Sequence, residues 1–302
     1  MATADSAPQA RKGSRRRKAI LAAGFILWLG LVWWVRETIR HYLIYSPAER
    51  STVSLARIAV TVARIPLLDV GLVAPRRLEV KPGVSLALDP RDLIDGVILE
   101  TGDWQPAIGA SIRQHVHPGG TFIDVGSHIG FFALSAAHIA GPAGHVLAIE
   151  PNPETLIRLR ANVRESHANV SVVPVACSDR AGNLKFYTSP GNSGASSLSE
   201  VLAGRWGKGH QYLVPARSLD DIVREAGLDR IDLIKIDVEG AEYLVLKGAE
   251  QTLRRFHPPV VAEIDSYQLH SMGASPEDIQ AFMQSVGYGR PRQVDDTDWE
   301  WD

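Results

Sequence analysis

One segment of the 302-residue chain combines an acidic residue with closely spaced glycines, a combination that suits a nucleotide-like ligand. Residues 121–130 read TFIDVGSHIG, so an apolar run reaches Asp124 and a glycine-punctuated loop follows. A second apolar run, residues 145–149, leads to Glu150. A strand, a tight glycine turn, a helix and a second strand that ends in an acid are typical of a Rossmann-like nucleotide site.

The spacing and the charge of this segment favour one kind of nucleotide. The dinucleotide fingerprint is G-x-G-x-x-G, whereas this chain has Asp124-x-Gly126-x-x-x-Gly130. An acid at the strand tip would repel a pyrophosphate but would accept an amino group, as in the cationic, phosphate-free S-adenosylmethionine. Glu150 can accept both ribose hydroxyls, because a carboxylate has two acceptor oxygens. The alternative is that the glycines serve packing alone.

A second acidic motif follows later in the chain. Residues 231–242 read IDLIKIDVEGAE, in which an apolar strand delivers Asp237 and Glu239 to its C-terminal tip. A further strand, residues 259–264, presents Glu263. Because ligands sit at the carboxyl ends of parallel strands, we expect these acids to converge on one edge of the sheet. Such a cluster is costly unless a cation or a hydroxyl-rich ligand neutralises it.

The elements between these motifs alternate, which predicts an α/β fold with a Rossmann-like, doubly wound and mostly parallel sheet. The gly- and ser-rich residues 189–213 lack clear periodicity, and we interpret them as a mobile loop or lid over the site. The predicted strands are 121–125, 145–150, 170–176, 184–188, 231–236 and 259–264. The predicted helices are 130–140, 153–166, 218–227 and 241–249.

The N-terminal region has the pattern of a membrane anchor. Residues 1–18 end in a basic cluster, and residues 19–35 carry no charge and include three tryptophans. We predict a single spanning helix at 19–35, then a linker and amphipathic helical region at 36–94 and a catalytic domain at 95–302. A cleaved signal peptide is one alternative, although no small-residue cleavage site follows the run. A buried helix is the other alternative.

The side of the membrane on which the domain lies is left open. Basic residues are denser before the apolar run than after it, which places the body outside the cytoplasm. S-adenosylmethionine is nevertheless a cytosolic compound. The span could be monotopic, the basic residues after it could hold the body inside, or the body could use imported cofactor.

The bulk composition excludes some partners. The net charge is −2, and the catalytic body is mildly acidic, which argues against nucleic-acid binding. Cys177 is the single cysteine, so no intramolecular disulfide can form. The sequence indicates no oligomeric state.

Four segments together resemble the FkbM-type S-adenosylmethionine-dependent methyltransferases, and the resemblance covers about residues 95–265. The segments read TFIDVGSHIG, AIEPNPETLIRLRANV, LDDIV and LIKIDVEGAEYLVLKGA. The resemblance implies a class I methyltransferase fold and methyl transfer, mainly to hydroxyl oxygens of polyketides, sugars and glycolipids.

The resemblance also implies roles for individual residues. Asp237 and Glu239 match the acidic pair that faces the reacting methyl group. His128 departs from the small residue that is usual in the family. The residues implied in cofactor binding are Glu100, Asp124, Gly126, Ser127, His128, Gly130, Glu150, Ser178 and Asp179.

An alcohol acceptor must lose a proton during methyl transfer, which calls for a base within reach. Asp237 or Glu239 is the candidate base, or it orients the acceptor. The alternative is that Asp237 binds only the cofactor amine and that Glu239 caps the following helix. No histidine lies nearby in the sequence, and we expect no metal ion.

The predicted function is methylation of a small-molecule or lipid-linked hydroxyl acceptor, such as a glycolipid sugar, close to a membrane. One alternative is a membrane-tethered protein that keeps the fold and binds the cofactor without turnover. A nucleotide-dependent oxidoreductase is a further alternative, which the missing dinucleotide fingerprint disfavours.

Overall fold

The computed structural model describes Trp28, Gly30, Leu31, residues 33–35 and residues 75–302. The chain divides into two compact units, Met1–Val73 and Ala74–Asp302. The described residues of the first unit are helical. In the described part of the chain, no helix has both the length and the apolar character needed to cross a bilayer. The predicted basic tail 1–18, most of the predicted anchor 19–35 and most of the region 36–94 lie outside the described residues.

The second unit consists of alternating strands and helices. The strands are β1 Arg76–Lys81, β2 Val84–Leu88, β3 Thr121–Val125, β4 His145–Ile149, β5 Val170–Val173, β6 Ala176–Cys177, β7 Gly182–Tyr187, β8 Gln211–Arg217, β9 Leu233–Ile236, β10 Val260–Glu263, β11 Arg292–Gln293 and β12 Asp298–Trp301. The helices are α1 Leu93–Thr101, α2 Pro106–His115, α3 Phe131–Ala140, α4 Pro153–Ser166, α5 Glu200–Ala203, α6 Leu219–Ala226, α7 Glu242–Lys247, α8 Glu250–Phe256, α9 Ser266–Ser271 and α10 Pro276–Ser285.

A seven-stranded sheet with the order β11-β12-β10-β9-β3-β4-β5 forms the centre of this unit. Strands β5, β4, β3, β9 and β10 are parallel, and β12 is antiparallel to both of its neighbours. The chain winds outward from β3 to β5 and then returns to β9, so the strand order reverses between β3 and β9. This is the predicted Rossmann-like, doubly wound fold of the class I methyltransferase type, and ligands bind at such a switch point.

The strand register brings the predicted acids to one edge of the sheet. Val125 lies opposite Ile149 on one side and opposite Ile236 on the other. Because these parallel strands end level with one another, Gly126, Glu150 and Asp237 all follow at the same edge.

Both faces of the central strands are buried, as expected for a parallel sheet covered by helices. Phe122 and Leu233 pack in the cluster that contains α3, whereas Ile123 and Ile234 pack in the opposite cluster with α6 and α8. The sheet is therefore a rigid platform for the loops at its carboxyl edge.

The compact unit begins at Ala74, ahead of the predicted domain boundary at residue 95. The antiparallel hairpin β1–β2 accounts for the difference. Val84, Leu86 and Leu88 alternate along β2 and are buried in the same cluster as Phe122. Residues 75–94 thus pack on the catalytic body.

Two predicted elements differ from the structure. The strand predicted at 170–176 is interrupted at Pro174, which has no N–H for the ladder. Its end, β6, instead joins a three-stranded sheet of order β6-β8-β7. The segment predicted to be an irregular loop, 189–213, contains α5 and two 3₁₀ turns, and Ser197 pairs with Tyr187 in an antiparallel bridge.

Candidate active site

A cavity of about 1100 Å³, a volume that includes space open to solvent, lies at the carboxyl ends of β3, β4, β9 and β10. Its floor is formed by the loops that follow these strands. Helix α1 contributes Ile94 and Ile98 to one wall, and the segment after β7 contributes Ser193 and Ser196. The cavity therefore occupies the switch point of the sheet, where the sequence places its acidic motifs.

The glycine loop after β3 turns sharply beneath the cavity. Gly126 has φ +81°, and a Cβ atom there would lie 1.8 Å from the carbonyl oxygen of Asp237. The N–H groups of Gly126 and Ser127 both donate to the carbonyl oxygen of Ile149 at 3.0 Å. These contacts join the ends of β3, β4 and β9, and only glycine fits at the first loop position.

Glu150 is 6% exposed and lines the cavity. Its carboxylate accepts the N–H of His128 at 2.8 Å and the N–H of Asn152 at 2.9 Å. Burial raises the pKa of Glu150 to about 7, against the two backbone hydrogen bonds. Each carboxylate oxygen keeps a second acceptor position, so the group can also accept two ligand hydroxyls.

The turn after β9 presents Asp237 and Glu239 to the cavity. Glu239 adopts φ +54°, an uncommon conformation for a residue with a side chain. The buried carboxylate of Glu242 stabilises the turn, because Oε1 accepts the N–H groups of Val238 at 3.0 Å and Gly240 at 3.2 Å. Glu242, rather than Glu239, is thus the acid that binds backbone N–H groups at the start of α7.

Lys235, which the sequence analysis did not single out, is a buried cation beneath the acidic cluster. Its Nζ lies 3.2 Å from Asp237 and 3.5 Å from Asp124. Burial disfavours the ammonium, but both carboxylates outweigh it and raise the pKa of Lys235. A lone lysine in the apolar strand LIKI was the available signal, because a buried charge requires a partner.

Glu263 ends β10 and also lines the cavity. One carboxylate oxygen from each of Asp237, Glu239 and Glu263 lies within 4.8 Å of the other two. Burial and the neighbouring carboxylates raise the pKa values of Glu239 and Glu263 well above their ordinary range. The expectation of no metal rested on the lack of histidines and did not include this third carboxylate.

His128 links the glycine loop after β3 to the segment after β7. Its ring Nε2 lies 2.5 Å from the hydroxyl of Ser193. Burial lowers the pKa of His128 to about 4, so the ring is neutral at physiological pH. The backbone N–H of Ser193 also donates to Asp92 at 2.7 Å. These bonds fix the segment against the cavity, so it forms one of the walls.

The structure brings four of the nine predicted cofactor residues to the cavity. Asp124 is fully buried beneath the loop beside Lys235, and Gly130 packs on Leu159 at the start of α3. Ser178 and Asp179 follow β6 on a turn that contacts Gly248, while the residues before them line the cavity. Glu100 lies on α1, two positions beyond the cavity-lining Ile98 and so on another face. The predicted site residues that line the cavity are Gly126, Ser127, His128, Glu150, Asp237 and Glu239.

The side chains that line the cavity fit S-adenosylmethionine. Glu150 has acceptor positions for a ribose, and Val175, Ala176 and Cys177 form an apolar wall beside it. The acids at the opposite end suit the amino group and the sulfonium. Repulsion by these acids would disfavour a pyrophosphate.

Comparison with known proteins agrees with this assignment. The family model "Methyltransferase FkbM domain" matches residues 124–289, which is more than half of the chain. Methyltransferase sdnD of Sordaria araneosa is 30% identical over 204 residues, which cover 59% of this chain and 76% of that protein.

Two further relatives carry names that describe their chemistry. The 2-O-methyltransferase NoeI of Sinorhizobium fredii is 32% identical over 149 residues, which cover 46% of this chain and 60% of NoeI. The hexuronic acid methyltransferase AglP of Haloferax volcanii is 29% identical over 164 residues, which cover 54% of this chain and 61% of AglP. The chain thus spans about three fifths of the length of these two relatives. Taken with the sheet order and the cavity, the match over residues 124–289 shows that the chain belongs to the FkbM family of S-adenosylmethionine-dependent methyltransferases.

Proposed function

We propose that the protein methylates a hydroxyl oxygen of a neutral, hydroxyl-rich acceptor such as a sugar. The observation that carries the proposal is the polarity of the cavity. Glu150 offers ribose acceptors at one end, and Asp237, Glu239 and Glu263 form an acidic wall at the other end. A carboxylate accepts hydrogen bonds from hydroxyls, so this wall suits an alcohol better than an anion.

The residues of the chain hold the cofactor and align it. Glu150 binds the ribose hydroxyls, and Asp237 accepts a hydrogen bond from the amino group. The ammonium of Lys235 lies 3.2 Å from Asp237 and orients its carboxylate for that contact. The apolar wall of Val175, Ala176 and Cys177 packs on the adenine. When bound, S-adenosylmethionine supplies an activated methyl group, so alignment is the main contribution of the protein.

The names of two relatives support oxygen as the accepting atom and a sugar as the type of acceptor. NoeI is named as a 2-O-methyltransferase, and AglP as a methyltransferase of a hexuronic acid. In this chain the acidic wall would repel a carboxylate inside the cavity. The acceptor hydroxyl therefore lies on a neutral part of the molecule, and any anionic group of the acceptor stays outside.

Our second proposal is that residues 19–35 anchor the chain in a membrane. The acceptor is then a membrane-proximal molecule. The support is the uncharged run with its tryptophans and the basic residues before it. The test is carbonate extraction of membranes from cells that express the full chain or a Leu27→Arg/Leu31→Arg variant. We expect the membranes to retain the native full chain but not the variant, because each arginine costs about 2.5–3.5 kcal/mol of insertion free energy at a helix centre. Release of the full chain by carbonate would contradict the anchor.

The test of the function is methyl transfer from S-adenosylmethionine with a tritiated methyl group to a panel of acceptors. The panel contains neutral glycosides, the same glycosides with all hydroxyls methylated, and hexuronic acid glycosides. Transfer to the neutral glycosides that is lost when the hydroxyls are blocked supports the proposal. Binding of the cofactor without transfer to any hydroxyl would favour the tethered binding protein without turnover.

A further inference from the structure

The proposed function places Glu263 in the acidic wall but assigns no residue to the proton of the acceptor hydroxyl. Strand β10 lies beside β9 in parallel register, with Ala262 opposite Ile236. Glu263 therefore ends its strand beside Asp237, and both side chains line the cavity. Asp237, Glu239 and Glu263 are close enough to act on one bound group, because one carboxylate oxygen of each lies within 4.8 Å of the other two.

The other cavity carboxylates are already engaged. Glu150 accepts two backbone N–H groups, and Asp237 is paired with Lys235 at 3.2 Å. Glu239 accepts the side-chain amide of Gln268 at 3.0 Å. Oε2 of Glu263 is buried and accepts no hydrogen bond. Among the described residues that line the cavity, Glu263 is the one with a carboxyl oxygen that is buried and accepts no hydrogen bond.

We propose that Glu263 is the general base that takes the proton of the acceptor hydroxyl. This inference rests on the proposed methyl transfer to a hydroxyl. In that step the acceptor oxygen bonds to the methyl carbon while the carbon–sulfur bond breaks. The sulfur keeps that electron pair, and the hydroxyl proton passes to Oε2 of Glu263.

The electrostatic surroundings favour this role. Asp237 is paired with the ammonium of Lys235, whereas Glu263 has no cation paired with it in the described part of the chain. Burial, followed by neighbouring carboxylates, raises the pKa of Glu263, which makes it a stronger base than an exposed carboxylate. Asp298 lies opposite Glu263 on β12. The groups that face it from the surrounding elements are Asp237, Glu239, Glu242 and Asp298.

The charge balance of the step is also consistent with a carboxylate base. A bound sulfonium favours the ionised form of a nearby carboxylate, which readies Glu263 for the reaction. Transfer removes the positive charge from the sulfur, so the proton affinity of Glu263 rises as the reaction proceeds. The net charge of the cluster and its ligands is therefore unchanged by the step, and Glu263 releases the proton to solvent after the products leave.

The test compares Glu263→Gln and Glu263→Asp with the exposed control Glu277→Gln in the full chain. For each variant, cofactor affinity is measured by calorimetry and kcat is measured from pH 5 to pH 10 with the neutral glycoside. We expect Glu263→Gln to bind S-adenosylmethionine as the native chain does and to lose about 10²–10⁴-fold in kcat. The rise of kcat with pH should also disappear, and Glu263→Asp should retain part of both.

Three results would overturn the inference. A native kcat in Glu263→Gln would show that another group takes the proton, although the proposed function would stand. Loss of the native rate to a chelator, with recovery on Mg²⁺ addition, would assign the three carboxylates to a cation instead. Cofactor binding by the native chain without transfer to any hydroxyl would remove the proposed function and this role with it.

Discussion

The backbone of Asp237 lies directly against Gly126: a Cβ atom on Gly126 would be 1.8 Å from the carbonyl oxygen of Asp237. This contact joins the glycine loop after β3 to the turn after β9 that carries Asp237 and Glu239. We predict that Gly126→Ala destabilises the chain and abolishes cofactor binding, because the methyl group must displace one of these two segments. Calorimetry with S-adenosylmethionine and thermal unfolding measure the two effects.

Gly119→Ala is the matched control for this prediction. Gly119 has φ +78°, similar to Gly126, but no atom lies within 4 Å of the added carbon. Its substitution should cost only the backbone strain, about 1–2 kcal/mol, and should preserve binding. Equal effects of the two substitutions would contradict the role of the contact.

A second prediction concerns the turn that carries Glu239. Glu242→Ala removes the acceptor of two backbone N–H groups, so it should lower the stability by roughly 1–3 kcal/mol and reduce the transfer rate. Glu242→Gln keeps an oxygen for both bonds and should retain stability and rate. Urea unfolding and methyl-transfer assays distinguish the two variants. An inactive Glu242→Gln variant with native stability would show that the charge itself takes part.

Lys235 should be essential for stability because it compensates the buried Asp124 and the partly buried Asp237. Lys235→Met leaves Asp124 and Asp237 without a cation, and we expect a loss of about 3–5 kcal/mol. Adding Asp124→Asn should recover part of that loss. The exposed Lys185→Met is the control, and it should change the unfolding free energy little. A tolerated Lys235→Met variant would refute this electrostatic account.

The buried Asp298 should make stability depend on pH. Burial raises its pKa to about 7, so the folded state holds the proton more tightly than the unfolded state. The resulting stability is complete below the ordinary pKa of 3.8 and is lost as the pH rises through about 7. Asp298→Asn should therefore gain roughly 2–4 kcal/mol relative to the native chain between pH 4 and pH 8.5.

Urea unfolding at the two pH values measures this gain, and the exposed Asp296→Asn is the control. A gain of the same size in both variants would assign the effect to net charge. A gain that does not change with pH in Asp298→Asn would contradict the raised pKa.

The parallel core and its acids could be predicted because their signals are local. Strand 121–125 and helix 153–166 were predicted with the observed bounds. Asn152 caps this helix, since its side chain accepts the N–H of Glu154 at 3.0 Å. Pro153 at the first helical position marks the same boundary.

The remaining features depend on contacts between distant parts of the chain. The buried strand Val84–Leu88 packs against helices that follow it by many residues. Its short alternating pattern therefore did not indicate that this strand belongs to the catalytic domain. Glu263 was predicted at a strand end, but only the pairing of β10 with β9 places it beside Asp237. Ser178 follows β6, which the interruption at Pro174 places in another sheet, and its carbonyl lies against Gly248 rather than in the cavity.

The central claim is that the cavity holds S-adenosylmethionine with its ribose on Glu150. Calorimetric titration of the cofactor into the full chain, beside Glu150→Gln and the exposed control Glu154→Gln, tests it most directly. The account predicts one saturable site in the native chain and the control, and affinity about 10–150-fold weaker in Glu150→Gln, because a charge-assisted hydrogen bond contributes about 1.5–3 kcal/mol. No binding by the folded native chain, or equal affinity in all three proteins, would contradict it.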